Sequence, residues 1–121
     1  MKKVLVVDDS ETIRAEVIRT LGQSGFSMIE ARDGLEGLAT ITCNLDLSLI
    51  VLDINMPAMN GLELLDKLAA NPDTKAIPVL LLTTEAEESL MARAKKAGAK
   101  GWLIKPVTPE ILVMATQKLA R

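Results

Sequence analysis

Residues 49–57 have the sequence LIVLDINMP, in which an apolar, β-branched run ends at the carboxylate of Asp53. Such a run is typical of a strand buried on both faces, and the step from Met56 to Pro57 ends it. Asp53 is therefore predicted at the mouth of a buried strand, held rigidly and able to face solvent. Taken alone it is as well explained as a turn residue, so its meaning depends on where the other strands end.

Composition and charge limit the class of protein. The chain has 121 residues, 49% hydrophobic and 25% charged, which indicates one globular domain over residues 1–121. Its net charge of −2 predicts neither a nucleic-acid nor a membrane surface. The chain has no histidine, so Ser-His-Asp triads and histidine metal sites are excluded. The single cysteine, Cys43, fits a reducing, cytoplasmic compartment, and we expect it to be buried on the second helix.

The rest of the chain repeats the pattern of a strand followed by a helix. Four further apolar runs are predicted strands, at residues 4–7, 27–31, 77–82 and 101–104. Apolar residues at helical spacing follow each strand, and Ser10 and the Thr108-Pro109 pair are expected caps. Five such repeats predict an α/β fold with a five-stranded parallel sheet, right-handed crossovers and helices on both faces. Ligands of these sheets bind at the carboxyl ends of the strands.

Polar side chains stand at four of the five predicted strand ends: Asp8 and Asp9, Asp53, Thr83 and Lys105. The second strand ends without a comparable group, which favours an edge position for it. Three carboxylates at one edge repel one another, and Mg²⁺ relieves that repulsion. Lysine and a hydroxyl suit the oxygens of a transferring phosphoryl group, and an aspartate can be its acceptor. The pattern therefore predicts a phosphoryl-accepting site.

Each of these residues also has an ordinary explanation. Asp8 and Asp9 can be a helix cap and a turn residue, Thr83 a helix cap, and Lys105 a solvated turn residue. Adjacent carboxylates at a buried strand end are costly without a counter-charge, however. The coincidence of all four strand ends favours the functional interpretation.

The motifs taken together resemble the receiver domains of two-component response regulators, in particular the CheY-like members. They are VVDDS (6–10), LDINMP (52–57), Gly61, LLTTE (81–85), AGA (97–99) and Lys105-Pro106. The resemblance covers most of the chain, and the order and spacing of the motifs are more specific than any one of them. It implies the flavodoxin-like strand order 2-1-3-4-5.

The resemblance also assigns roles to the residues. It implies that Asp53 is the phosphoacceptor and that Asp9 and Asp53 bind Mg²⁺ directly. The backbone carbonyl of Asn55 is a further ligand, and Asp8 acts largely through water. It further implies that Thr83 and Lys105 bind the phosphoryl group and that Thr83 and Trp102 form the switch pair.

Several flanking residues bear on how such a site would behave. Asn55 and Glu85 match the types found in CheY-like members, whereas Thr84 replaces a common alanine and Trp102 a usual tyrosine. Thr84 is expected to narrow access to the site, and the bulk of Trp102 is expected to bias the switch. Two apolar residues, Met91 and Val113, are expected near Trp102, either as part of a partner surface on helices 4 and 5 or as simple packing.

The expected function is a monomeric single-domain response regulator. A sensor histidine kinase or phosphotransfer protein would phosphorylate Asp53, and the face of helix 4, strand 5 and helix 5 would change its affinity for a downstream protein. Chemotaxis is the favoured setting, with a flagellar motor switch as the candidate target. No nucleic acid, membrane or enzymatic turnover is expected beyond self-catalysed phosphoryl transfer and autodephosphorylation.

Other functions stay open. A phosphorelay intermediate and an excised receiver of a larger regulator carry the same motifs. An aspartyl-phosphate hydrolase of the haloacid dehalogenase type needs a second aspartate two residues after Asp53, where this chain has Asn55. A nucleotide or flavin binder would show G-x-x-x-x-G-K-[ST] or G-x-G-x-x-G, and neither is present.

Overall fold

The structure is a computed structural model that describes residues 1–56, 59–84 and 87–121. Strands and helices alternate as predicted. They are β1 (Lys3–Val7), α1 (Glu11–Gln23), β2 (Ser27–Ala31), α2 (Gly34–Thr42), β3 (Leu49–Asp53), α3 (Gly61–Ala70), β4 (Val79–Thr83), α4 (Glu88–Lys96), β5 (Gly101–Ile104) and α5 (Pro109–Leu119). None of the described helices is long and apolar enough to cross a membrane.

The strands form one parallel sheet in the order β2-β1-β3-β4-β5, which confirms the expected order and the edge position of β2. The register aligns the carboxyl ends of the inner strands. Val7 lies opposite Leu52, and Asp53 lies opposite Leu82. The residues that follow β1, β3 and β4 therefore meet at one edge of the sheet.

Two apolar layers cover the sheet, because alternate residues of a strand point to opposite faces. In β3, Ile50 and Leu52 join the layer beneath α2, α3 and α4. Leu49 and Val51 join the layer beneath α1 and α5. Every residue of β3 is buried. This double burial explains why the strand is a continuous apolar run, and it holds Asp53 at the end of a rigid element.

Side-chain caps fix the helix starts at the same edge of the sheet. Ser10 accepts a hydrogen bond from the Ile13 N–H, and Thr108 accepts one from the Ile111 N–H ahead of α5. Both caps were predicted from the sequence. Asn60 and Glu63 form an unpredicted capping box at α3. Helix N-termini therefore surround the strand ends.

Two details differ from the sequence-based expectation. Cys43 is exposed rather than buried, because α2 ends at Thr42 and its buried face is Gly34, Gly37 and Ile41. Cys43, two residues beyond Ile41, follows the last turn and lies away from that face.

The expected pair of apolar residues near Trp102 is also split between the two faces of the sheet. Met91 is exposed on α4. Val113 is half-buried against the layer of α1 and α5, whereas Trp102 packs against the other layer. Pro57 and Glu85 lie outside the described residues.

Candidate functional site

Asp53 is the last residue of β3, and only 4% of it is exposed. Its Oδ1 accepts hydrogen bonds from the Asn55 backbone N–H at 3.3 Å and from Lys105 Nζ at 3.1 Å. The side chain of Asn55 is exposed at the rim. The carboxylate is thus fixed by the turn that follows its own strand and by a lysine from the β5–α5 loop.

Asp8 and Asp9 follow β1 directly and differ in exposure. Asp8 is buried, and its Oδ1 accepts a hydrogen bond from the Ser10 N–H at 2.9 Å. Its Oδ2 lies 3.1 Å from Lys105 Nζ. Asp9 is exposed to solvent. One lysine therefore joins the ends of β1 and β3, while Asp9 lies at the open side.

The carboxylates of Asp8, Asp9 and Asp53 each offer an oxygen, and these oxygens all lie within 4.8 Å of one another. Across residues 1–56, 59–84 and 87–121, one lysine is paired with this cluster. Three carboxylates against one ammonium group leave an excess of negative charge in a confined space. A hard divalent cation with oxygen ligands, such as Mg²⁺, fits this donor set.

The ionisation of the site reflects the same crowding. Burial, together with the charge of Asp8, raises the pKa of Asp53 above its usual value, and the contacts from Lys105 offset this only in part. For Lys105, burial by itself would lower the pKa. The carboxylates of Asp8 and Asp53 outweigh that effect and raise the pKa of Lys105 above its usual value. Lys105 is therefore held as a cation, while the charge on Asp53 is disfavoured.

Lys105 is positioned by the neighbouring strand end. Its backbone N–H donates to the Thr83 carbonyl at 2.7 Å, and the peptide bond to Pro106 is cis. Thr83 ends β4 and is completely buried, whereas Thr84 is exposed. The structure therefore brings Thr83 and Lys105 to the edge at which the carboxylates lie, as the sequence predicted.

Trp102 is the predicted site residue that lies farthest inside the sheet. It is opposite Leu81, two register positions before the Thr83–Ile104 pair at the edge. The ring is half-buried against the layer of α2, α3 and α4. Its indole N–H is buried and has no hydrogen-bond partner among the described residues.

Two residues that the sequence did not point to as site residues support the cluster. A Cβ atom on Gly61 would lie 2.2 Å from the Asp53 carbonyl oxygen, so α3 approaches Asp53 more closely than any other residue type allows. Arg14 of α1 donates from Nη1 to the Asp8 carbonyl at 2.7 Å. Gly61 is among the motif residues that carry the resemblance but was given no role, and Arg14 carried no signal.

Comparisons with known proteins show which family and which solved structures this chain is similar to. A sequence profile for the response regulator receiver domain matches residues 4–117. The chain is 40% identical to the chemotaxis protein CheY1 of Helicobacter pylori (strain J99) over 91% of this chain and 90% of that protein. It is 37% identical to CheY-3 of Vibrio cholerae (classical strain O395) over 97% and 90% of the two chains. The solved structure of Vibrio cholerae CheY4 superposes with a TM-score of 0.93 at 39% identity, covering 98% of each chain.

Proposed function

Because the chain belongs to the response regulator receiver family, we propose that it is a phosphorylation-controlled switch whose phosphoacceptor is Asp53. One observation carries the assignment: Lys105 Nζ contacts both Asp8 and Asp53 inside a cluster of three carboxylates. A structural ion pair would need one carboxylate for one lysine. The surplus of carboxylates suits a site that admits a cation and then a phosphoryl group.

The donor in this proposal is the phosphohistidine of a sensor kinase or phosphotransfer protein. An oxygen of Asp53 attacks the phosphorus, the P–N bond breaks, and its electron pair stays on the imidazole nitrogen of the donor. Asp53 thereby becomes an aspartyl phosphate. Mg²⁺, held by Asp9, Asp53 and the Asn55 carbonyl, with Asp8 largely through water, would stabilise the charge on the phosphoryl oxygens.

Lys105 and Thr83 then act on the new group. Before transfer, Lys105 Nζ is shared between Asp8 and Asp53 at 3.1 Å each. After transfer, the phosphoryl group brings about −1.5 to −2 charge next to Lys105, which favours a new contact. The Thr83 hydroxyl is the second donor in the proposal. Thr83 ends β4, which pairs with β5, so in this proposal a change at Thr83 is passed to Trp102 on β5.

The signalling surface in this proposal is the face of α4, β5 and α5. Each element exposes a large apolar side chain: Met91 on α4, Ile104 on β5 and Ile111 on α5, at 40%, 42% and 47% exposure. Exposed apolar groups on adjacent elements suit a protein partner. Since the relatives are named chemotaxis proteins, we propose chemotaxis as the setting and a flagellar motor switch as the target. The protein would act as a cytoplasmic monomer without turnover of a separate substrate.

Labelling with radioactive acetyl phosphate tests the phosphoacceptor. Wild type should gain a label that depends on Mg²⁺ and is released by base and by hydroxylamine, as an acyl phosphate is, and Asp53→Asn should gain none. Asp46→Asn is the matched control, because Asp46 is an exposed carboxylate that is also paired with a lysine. Equal labelling of wild type and Asp53→Asn would refute the assignment.

A binding experiment tests the output. Beryllofluoride with Mg²⁺ imitates the acyl phosphate and should raise the affinity for the motor-switch component several-fold. The Ile104→Ser variant should still accept phosphate but lose that gain. If beryllofluoride leaves the affinity unchanged while a second phosphotransfer protein removes the label from Asp53, the protein is a relay intermediate instead.

A further inference from the structure

We propose that Arg14 is a positioning residue of the cation site. Its guanidinium would fix the turn that carries Asp8 and Asp9 and so set the affinity of the carboxylate cluster for Mg²⁺. The inference rests on the proposed function, in which that cluster holds the cation. It assigns a role to a helix residue outside the motifs that predicted the site.

The contacts of Arg14 join two elements. Nη1 donates to the Asp8 carbonyl at 2.7 Å, and Nε donates to Glu30 Oε1 at 3.0 Å. The Arg14 side chain is 13% exposed, against 54% for Glu30. A guanidinium presents its donors in a rigid planar fork, so two partners from different elements fix its orientation. Arg14 therefore connects α1 to β2 and, through the Asp8 carbonyl, to the end of β1.

The Asp8 carbonyl determines the direction in which Asp9 leaves β1. The peptide group is planar, so the Asp8 oxygen, the Asp9 nitrogen and the Asp9 Cα lie in one plane. The Asp8 N–H donates to the Ala31 carbonyl at 3.2 Å, which holds the other side of the residue. Asp9 itself is exposed. Anchoring the peptide that precedes Asp9 thus limits where its carboxylate can lie.

The charge of Arg14 acts in the opposite direction to its hydrogen bond. A guanidinium near a cation site repels the cation, although Glu30 neutralises part of that charge. Removing Arg14 would therefore strengthen Mg²⁺ binding if its main influence were electrostatic. The same change would weaken Mg²⁺ binding if its main influence is to hold the turn. The two effects have opposite signs, which makes the inference testable.

Calorimetric titration with Mg²⁺, carried out below the unfolding transition measured for each variant, separates these effects. Arg14→Met should raise the dissociation constant about tenfold, the lower range for changes in groups that orient metal ligands. Arg14→Lys keeps an N–H donor that can hold one of the two partners but loses the planar fork, so its dissociation constant should lie between those of wild type and Arg14→Met. The matched control is Arg32→Met, because Arg32 pairs with Glu36 on the surface and is 73% exposed. It should bind as wild type does.

The acetyl phosphate reaction gives a second measurement on the same variants. If Arg14 only positions the cation site, Arg14→Met should need more Mg²⁺ for half-maximal labelling but reach nearly the wild-type rate at saturation. An unchanged or lower dissociation constant in Arg14→Met would overturn the inference and leave the proposed function intact. A wild type that binds no Mg²⁺ would instead overturn the proposed function, and the inference with it.

Discussion

Each end of the sheet carries a lysine paired with aspartate, and the two pairs differ in their charge balance. At the carboxyl edge, Lys105 lies 3.1 Å from both Asp8 and Asp53. At the amino edge, Lys3 lies 2.9 Å from Asp46. The pKa of Asp53 is raised, by burial first and then by Asp8. The pKa of Asp46 is lowered, chiefly by its hydrogen bond from Lys3.

The contrast shows that a short lysine contact does not decide how a carboxylate ionises. Asp46 is exposed and has a lysine partner that it shares with no second acid among the described residues. Asp53 is buried and shares its lysine with Asp8. Burial and the number of carboxylates for each lysine decide whether the pKa of the aspartate is raised or lowered. The amino edge is therefore electrostatically balanced, whereas the carboxyl edge favours the arrival of a cation.

The largest difference between the edges is expected at their glycines. Gly61→Ala should destabilise the fold by about 2–3 kcal/mol, because its Cβ would lie 2.2 Å from the Asp53 carbonyl oxygen and the backbone must move. The displaced Asp53 should also accept phosphate about tenfold more slowly. Urea unfolding and the rate of labelling by acetyl phosphate measure the two effects.

Gly98 at the amino edge is the matched control. Its φ of +101° is strained for alanine, but no atom lies within 4 Å of the added Cβ. Gly98→Ala should therefore cost about 1 kcal/mol and leave the labelling rate unchanged. If both variants slow labelling equally, the close approach of α3 to Asp53 does not position the acceptor.

Replacing the lysine of each pair should give the next largest change in stability. Lys105→Met leaves Asp8 and Asp53 buried without their base, so we expect a loss of about 2 kcal/mol in metal-free buffer at neutral pH. Mg²⁺ should restore most of that loss, because it replaces the missing positive charge. Lys3→Met at the exposed pair should change the stability little, with or without Mg²⁺. A loss in Lys105→Met that Mg²⁺ does not reduce would show that the carboxyl edge has no excess of negative charge.

Much of the fold and the site was predictable from the sequence, because both depend on local patterns. A continuous apolar run such as residues 49–52 reports burial on both faces, and the polar residue that ends it must lie at the sheet edge. In a parallel sheet those edges coincide, so Asp8, Asp53 and Lys105 could be placed together before any coordinates. The caps Ser10 and Thr108 were predictable for the same reason, since a cap acts within its own first turn.

The residues that escaped prediction act across elements. Arg14 belongs to an ordinary helical pattern, and only the approach of α1 to β2 and to the end of β1 gives it Glu30 and the Asp8 carbonyl as partners. Gly61 belongs to the matching motifs, but its role beside Asp53 follows only from the distance to the Asp53 carbonyl. Cys43 was placed wrongly because it lies two residues beyond Ile41, off the face of α2 that packs against the sheet. The roles of Arg14 and Gly61 needed distances between elements.

The smallest expected effect is the pH dependence of the two aspartates, and its sign tests the comparison most directly. Since the pKa of Asp53 is raised from 3.8 in the folded state, the protonated form of Asp53 stabilises the fold and its ionisation opposes folding. The contribution of the protonated form is complete below pH 3.8 and is lost as the pH rises through the folded pKa. Asp53→Asn should therefore be more stable than wild type in metal-free buffer at pH 7, by on the order of 1 kcal/mol, and the difference should vanish as the pH falls towards 3.8.

Asp46, whose pKa is lowered from 3.8, contributes stability above that pH and loses it as the pH falls through the folded value. Asp46→Asn should thus be slightly less stable than wild type at pH 7. Urea unfolding midpoints across this range measure both curves, and curves of the same sign would mean that the two lysine pairs are electrostatically alike.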